Sequence, residues 1–142
     1  MSSEELHAIE LLGRVPYGRL ATSMRALPFL AVARHIVVGD RILLRMHSGF
    51  GYHEACNGSV VAYGADNFNA SASESGENLW SVQFTGPAEI VHPDPEQREM
   101  FGAGPVMVNG EPFEPAFLRL APHFVTEHTL DFDASQAIRN AA

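Results

Sequence analysis

At 142 residues the chain is long enough for one domain with a real core and too short for two, and 46% hydrophobic with 18% charged residues places it among globular rather than disordered chains. A formal net charge of -8 repels phosphate backbones and anionic lipid, which argues against nucleic acid and membrane surfaces as partners. The basic residues are all Arg, which excludes Schiff-base chemistry, and the single cysteine, Cys56, excludes an intrachain disulfide.

Taken in order, Ser2 or Ser3 followed by Glu4 and Glu5 marks a helix start, because a hydroxyl accepts from free N–H groups and acids suit the positive end of the helix dipole. Leu6, Ile9, Leu11 and Leu12 fall on one helical face, and the helix is expected to end near Gly13. The segment Val15-Pro16-Tyr17-Gly18 stops it. A strand follows from Arg19 to Met24, a turn at Ala26-Leu27-Pro28, and a longer strand from Phe29 to Val38. Gly39-Asp40 is a hairpin signal joining that strand to its partner, Ile42 to Met46. A Gly-rich loop then leads to a short helix over Tyr52 to Asn57 with Gly58 as its stop.

Ser59 to Ala65 reads as a further strand, and Asn67 to Asn78 as a polar surface loop. Leu79 to His92 alternates apolar with polar residues, with a bulge or bend at Gly86-Pro87. A helix starts at Pro93 or Asp94 and runs through Met100. Val106 to Pro115 reads as irregular chain, and Phe117 to Phe132 as one strand or two, interrupted near Pro122. Six or seven strands with short helices and no βαβ alternation predict a mainly β antiparallel barrel, a single domain over residues 1–142 with an N-terminal helix (1–14) and a weakly structured tail (133–142). No apolar run reaches the ~20 residues of a bilayer span. The acidic N-terminus has no signal-peptide layout, and a cytoplasmic protein is expected.

The loop from Met46 to His53 gathers His47, Ser48, Tyr52 and His53 where a buried strand gives way to open chain, which suits a ligand site. The string His53-Glu54-Ala55-Cys56-Asn57 lacks the second His that a zinc helix needs, and His53 with Cys56 supplies too few ligands for a structural zinc, so no metal is expected. Cys56 reads as a buried, inert thiol. Arg34 and Arg45 sit inside apolar strands. Facing the core they would be unpaired charges costing several kcal/mol, so they are expected to face solvent, an acidic partner or an anionic ligand. Trp80, Phe84 and Phe29 are assigned to core or dimer packing.

Four stretches, GRLAT at Gly18 to Thr22, PFLAVARHIVVGDRILLRMHSG at Pro28 to Gly49, WSVQFTGPAEIV at Trp80 to Val91, and FLRLAPHFVTEHTLDF near the end, resemble in order and spacing the pyridoxamine 5′-phosphate oxidase-like, FMN-binding split-barrel family. The resemblance covers roughly Leu12 to Phe132. It implies a split β-barrel homodimer with a flavin (FMN) in the subunit interface and oxidoreductase activity on a small molecule. It places the flavin ring near Val32, Ala33, Arg34 and His35, and the ribityl phosphate near Arg45, Met46, His47, Ser48, Tyr52 and His53, with Ser81 contributing from the strand at Trp80. The family commonly carries Lys or Arg in the loop that follows the third strand; here that stretch is Gly51-Tyr52-His53, which leaves Arg45, His53 and the amides starting at Tyr52 to meet the phosphate. The deazaflavin F420 is an alternative cofactor, and a non-catalytic barrel binding flavin, haem or another small molecule is a third reading. No side chain announces itself as an acid or base.

Overall fold

The computed structural model describes residues 2–69 and 78–131. Helix α1 (Ser3–Leu12) is capped by Ser2, whose side chain accepts from the Glu5 N–H, and it buries Ala8, Leu11 and Leu12. Seven strands follow in one antiparallel sheet: β1 (Tyr17–Met24), β2 (Leu27–Val38), β3 (Arg41–His47), β4 (Val60–Asp66), β5 (Leu79–Ile90), β8 (Pro115–Leu120) and β9 (Phe124–Leu130). Between β3 and β4 lie a 3₁₀ turn (Ser48–Phe50) and α2 (Tyr52–Cys56). Between β5 and β8 lie α3 (Pro95–Phe101) and a two-stranded hairpin, β6 (Met107–Val108) with β7 (Glu111–Pro112).

The order β4-β1-β2-β3-β8-β5 closes on itself through a β4–β5 pairing, giving a six-stranded barrel with β9 attached to β5. The closure depends on β5 changing partners. Along one edge it pairs with β4 from Ser81 to Pro87; along the other it pairs with β9 from Leu79 to Thr85 and with β8 from Ala88 to Ile90. The change falls at Gly86-Pro87, where the β8–β9 turn crosses the strand: the Ala121 N–H donates to the Pro87 carbonyl (3.0 Å) and the His123 N–H to the Thr85 carbonyl (2.8 Å). A Cβ at position 86 would overlap the Ala121 carbonyl, so only glycine permits the crossing.

Period-two alternation fixes what fills the barrel. Leu20, Ile42, Leu44, Val61, Tyr63, Val82, Phe84, Leu118 and Leu120 point inward and are fully buried or nearly so, and α1 and Cys56 of α2 close over them. A second, smaller core lies outside the barrel, where Phe101 of α3 packs on Ile36 and Leu43. Helix α3 is set by a capping box: Asp94 accepts from the Gln97 N–H (2.8 Å) and Gln97 accepts in return from the Asp94 N–H (3.2 Å).

The expected elements are present with boundaries moved by a residue or two, and the final segment is a pair of strands. Two expectations are corrected. Val106 to Pro115 contains the β6–β7 hairpin, whose turn, Asn109-Gly110, has φ of 50° and 82° at its two residues. The β1–β2 turn is Arg25-Ala26 rather than Ala26-Leu27-Pro28, and both turn residues are left-handed (φ 54° and 65°). A two-residue turn between right-twisted strands requires that conformation, and neither side chain favours it. Part of the polar loop after Asn67 (residues 70–77) and the tail from residue 132 lie outside the described residues.

The strained turn and the crowded crossing predict opposite results for two substitutions. Ala26→Gly relieves left-handed strain and is expected to raise unfolding stability by about 1 kcal/mol. Gly86→Ala is expected to lower it by about 2–3 kcal/mol through overpacking. Urea unfolding midpoints at constant m-value measure both.

Candidate functional site

A cleft of about 570 Å³ lies outside the barrel, between the outward face of β2–β3 and the chain from Pro105 to Phe113. Its floor is Leu30, Val32 and Arg34 of β2 with Arg45 and His47 of β3. Phe50 and Tyr52 form one wall, and Pro105, Val108, Asn109 and Phe113 the other, with Tyr17 at the rim. Pockets of this size, mostly apolar with a few convergent polar groups, suit small molecules and cofactors.

The two arginines at its inner end are direct cross-strand partners, Arg34 opposite Arg45. Arg34 donates through Nε to the Phe101 carbonyl (3.2 Å), through Nη1 to those of His35 (2.6 Å) and Pro16 (3.2 Å), and through Nη2 to that of Met100 (3.5 Å). Arg45, buried, donates through Nη1 to the Gly102 carbonyl (2.8 Å) and through Nη2 to that of Ala103 (3.5 Å). Its guanidinium also lies 5.5 Å from the Phe101 ring and 5.9 Å from the Phe113 ring. Both cations therefore sit at the negative end of α3 and the turn after it, where orphan carbonyls need donors. Arg45 is enclosed and lines the cleft, and carbonyls and ring faces partly satisfy it. No carboxylate of the described residues forms an ion pair with either arginine.

His47 is held tightly at the end of β3. The Glu114 backbone N–H donates to its Nδ1 (3.2 Å), Phe50 meets its ring edge-on with centroids 5.3 Å apart, and Phe113 stacks on it at 5.8 Å. Its Nε2 is buried with no hydrogen-bond partner among the described residues, as is Nδ1 of His53. Beyond Phe50, Tyr52 stacks on Phe29 with centroids 4.2 Å apart and planes 16° from parallel.

Of the residues nominated from the sequence, Val32, Arg34, Arg45, Met46, His47 and Tyr52 line the cleft. Ala33 and His35 do not, because alternate residues of β2 point into the barrel; both are buried there. Ser48 anchors the 3₁₀ turn, its N–H donating to the Glu114 carbonyl (2.8 Å). His53 lies on α2 and Ser81 on β5 opposite Asp66 and His128; neither lines the cleft. Tyr17, Leu30, Phe50 and the wall from Pro105 to Phe113 were not anticipated. Asn109-Gly110 carried a hairpin signal that would have folded that wall back on itself.

His35 is a structural group. Its Nε2–H donates to the Leu12 carbonyl (2.8 Å), and its Nδ1 lies 2.5 Å from the Tyr63 hydroxyl, which is also 3.0 Å from the Ala33 carbonyl. This ties the end of α1 to β2 and β4. Desolvation holds the His35 pKa below its ordinary value, with the Arg34 charge adding to the shift against the raising effect of the Leu12 and Val15 backbone bonds. Burial likewise pushes the Cys56 thiol up to about 11, in keeping with an inert cysteine.

The model of the family described as pyridoxamine 5′-phosphate oxidase matches residues 3–129. No curated protein sequence matches the chain. Among solved structures, an FAD binding protein from Mycobacterium smegmatis is similar over 93% of this chain and 98% of its own, at 21% identity and a TM-score of 0.66. A putative pyridoxamine 5′-phosphate oxidase from Corynebacterium glutamicum is similar over 89% and 91%, at 23% identity and a TM-score of 0.63. The flavocytochrome Anf3 from Azotobacter vinelandii is similar over 96% of this chain and 73% of its own, at 19% identity and a TM-score of 0.61. At these identities the likeness establishes the fold.

Two predictions follow from the buried groups. With its folded pKa depressed, His35 contributes stability that is fully present above about pH 6.5 and declines as pH falls below it, because the unfolded chain takes up a proton that the folded state resists. Urea midpoints from about pH 8 down to about pH 5 should fall, and His35→Gln should flatten the slope while lowering stability at the upper end. Cys56 is expected to be silent to a thiol reagent in the native protein and to react on unfolding.

Proposed function

The chain belongs to the pyridoxamine 5′-phosphate oxidase family, and on that premise we propose that it is a flavin-dependent oxidoreductase that holds FMN in the cleft between β2–β3 and the 105–113 wall and acts on a small molecule. The observation that carries this reading is the pair Arg34 and Arg45: cross-strand neighbours, with no ion pair to a carboxylate among the described residues, in a cleft whose other walls are largely aliphatic and aromatic. In a protein of net charge -8, two such cations paired with no acid among the described residues favour an anionic ligand group. Arg45 uses few of its N–H groups on protein carbonyls, so it retains donors for phosphate oxygens. The flat walls of Phe50, Tyr52 and Phe113 suit a planar heteroaromatic ring. A bound flavin supplies hydride or electron transfer; the chain's own residues bind it, orient it and exclude water.

The partner in this reading is a second copy of the chain. On the outer face of β2, Leu30 and Val32 are 67% and 63% exposed, and Val60 on β4, two strands away, is 66% exposed. Leu30 and Val32 also line the cleft, so a homodimer seated on this face would cover the apolar surface and complete the site together. A cytoplasmic setting agrees with a lone, buried thiol, and no helix among the described residues is long and apolar enough to cross a membrane.

Titration of the purified protein with FMN, FAD, riboflavin, F420 and haem, followed by absorbance and fluorescence quenching, tests the cofactor. FMN is expected to bind more tightly than riboflavin, and Arg45→Met to erase that preference by about tenfold or more while riboflavin binding persists. Tighter binding of FAD, the ligand named for the Mycobacterium smegmatis protein, would keep the flavin and change the form. Indifference to every flavin, or preference for F420 or haem, would sink the reading. Light scattering should give a dimer that Leu30→Glu converts to monomer.

A further inference from the structure

We propose that the hairpin from Pro105 to Phe113 is a flap over the cleft, and that Arg45, packed at its base, is the pin through which an anion in the cleft holds the flap shut. The device rests on the cleft being the binding site. Both roots of the hairpin are tied down. On the incoming side Arg45 donates to the Gly102 and Ala103 carbonyls. On the outgoing side Glu114 is bonded twice, its N–H donating to His47 Nδ1 and its carbonyl accepting from the Ser48 N–H. Between those roots the chain bonds to itself: β6 pairs with β7, and the Phe113 N–H donates to the Val106 carbonyl (3.0 Å). Among the described residues no hydrogen bond or ion pair joins residues 104–113 to the barrel. A segment fastened to itself and anchored only at its ends can open as a unit at low cost.

What holds the hairpin against the cleft is side-chain packing near its base. Phe113 stacks on His47 and lies 5.9 Å from the Arg45 guanidinium. A Cβ at Gly104 would come within 3.1 Å of the Phe113 ring and 3.4 Å of the Arg45 guanidinium carbon, so both sides of the base meet the guanidinium at one point. Further out the packing thins: Val108 is half-buried, whereas Val106 and Met107 are 82% and 51% exposed. Apolar side chains left in water on the wall of a ligand cleft favour a closed state in which flap and ligand cover each other. Arg45 keeps N–H donors beyond the two bonds that serve the hairpin root, and an anion accepting from them fixes the guanidinium between itself and the Gly102 and Ala103 carbonyls. Opening then disturbs the anion's contacts as well as the packing, which couples occupancy of the cleft to closure of the flap.

Hydrogen–deuterium exchange of the full chain, read by mass spectrometry, follows the flap directly. Without ligand, a peptide covering 104–113 is expected to exchange about tenfold or more faster than one covering β4, and saturating FMN should slow it by about fivefold or more. Inorganic phosphate, compared with sodium chloride at equal ionic strength, should slow it too. That phosphate effect should vanish in Arg45→Met while β4 exchanges as before, which shows the variant folded. Should Arg45→Met loosen β4 as well, the FMN and phosphate results on the unsubstituted protein decide. A hairpin as protected as β4 without ligand, FMN bound by its spectrum with hairpin exchange unchanged, or phosphate protection retained in a folded Arg45→Met each overturns the flap and leaves the cofactor reading intact. An unsubstituted protein that binds neither FMN nor phosphate overturns both.

Discussion

Two positive charges placed side by side on the outside of a barrel set the terms for the rest of this molecule. Arg34 and Arg45 are forced together by the β2–β3 register, and like charges so close need acceptors around them. The chain answers with the carbonyl end of α3 and the turn beyond it: Met100, Phe101, Gly102 and Ala103 all accept from one arginine or the other. That clamp holds α3 against Ile36 and Leu43, directs the following chain over Arg45, and so builds the second wall of the cleft. The acceptors among the described residues are carbonyls, which solvate the guanidinium charge without neutralising it. The outer layer of the fold and the placement of both arginines in the cleft thus come from one interaction.

The same outer layer links the aromatic side chains into a continuous series. Phe29, Tyr52, Phe50, His47 and Phe113 meet ring to ring, Arg45 lies between Phe113 and Phe101, and Phe117 follows. Rigid aromatic neighbours fix His47 at small entropic cost, which lets one backbone N–H dictate which nitrogen carries the proton. The barrel supplies the platform for this arrangement. Its closure turns on β5 serving β9 and β8 in succession, and on glycine at position 86, where the chain passes too near for any side chain.

Much of the fold could be read along the chain because its signals are local. Alternation in Leu79 to Ile90, the Ser2 and Asp94 caps, and the Gly39-Asp40 turn each act within a few residues of themselves. The loop from Met46 to His53 stood out for a similar reason, since glycines and polar side chains next to a buried strand are unusual, and Met46, His47, Phe50 and Tyr52 of it line the cleft. The opposite wall was less visible. Asn109-Gly110 announced a hairpin, but nothing near it in sequence says that the hairpin lies over β2 and β3.

The sequence by itself determined the strand pattern and the antiparallel barrel, because propensity, capping and turn chemistry are properties of neighbouring residues. Tertiary structure alone decided which nominated residues reach the cleft. On β2, Val32 and Arg34 face outward while Ala33 and His35 face the core, and that parity is fixed by register with β1 and β3 rather than by composition. It also decided the state of Arg45: a charge inside an apolar strand gives no indication of its partners, which here are carbonyls 57 and 58 positions further along the chain.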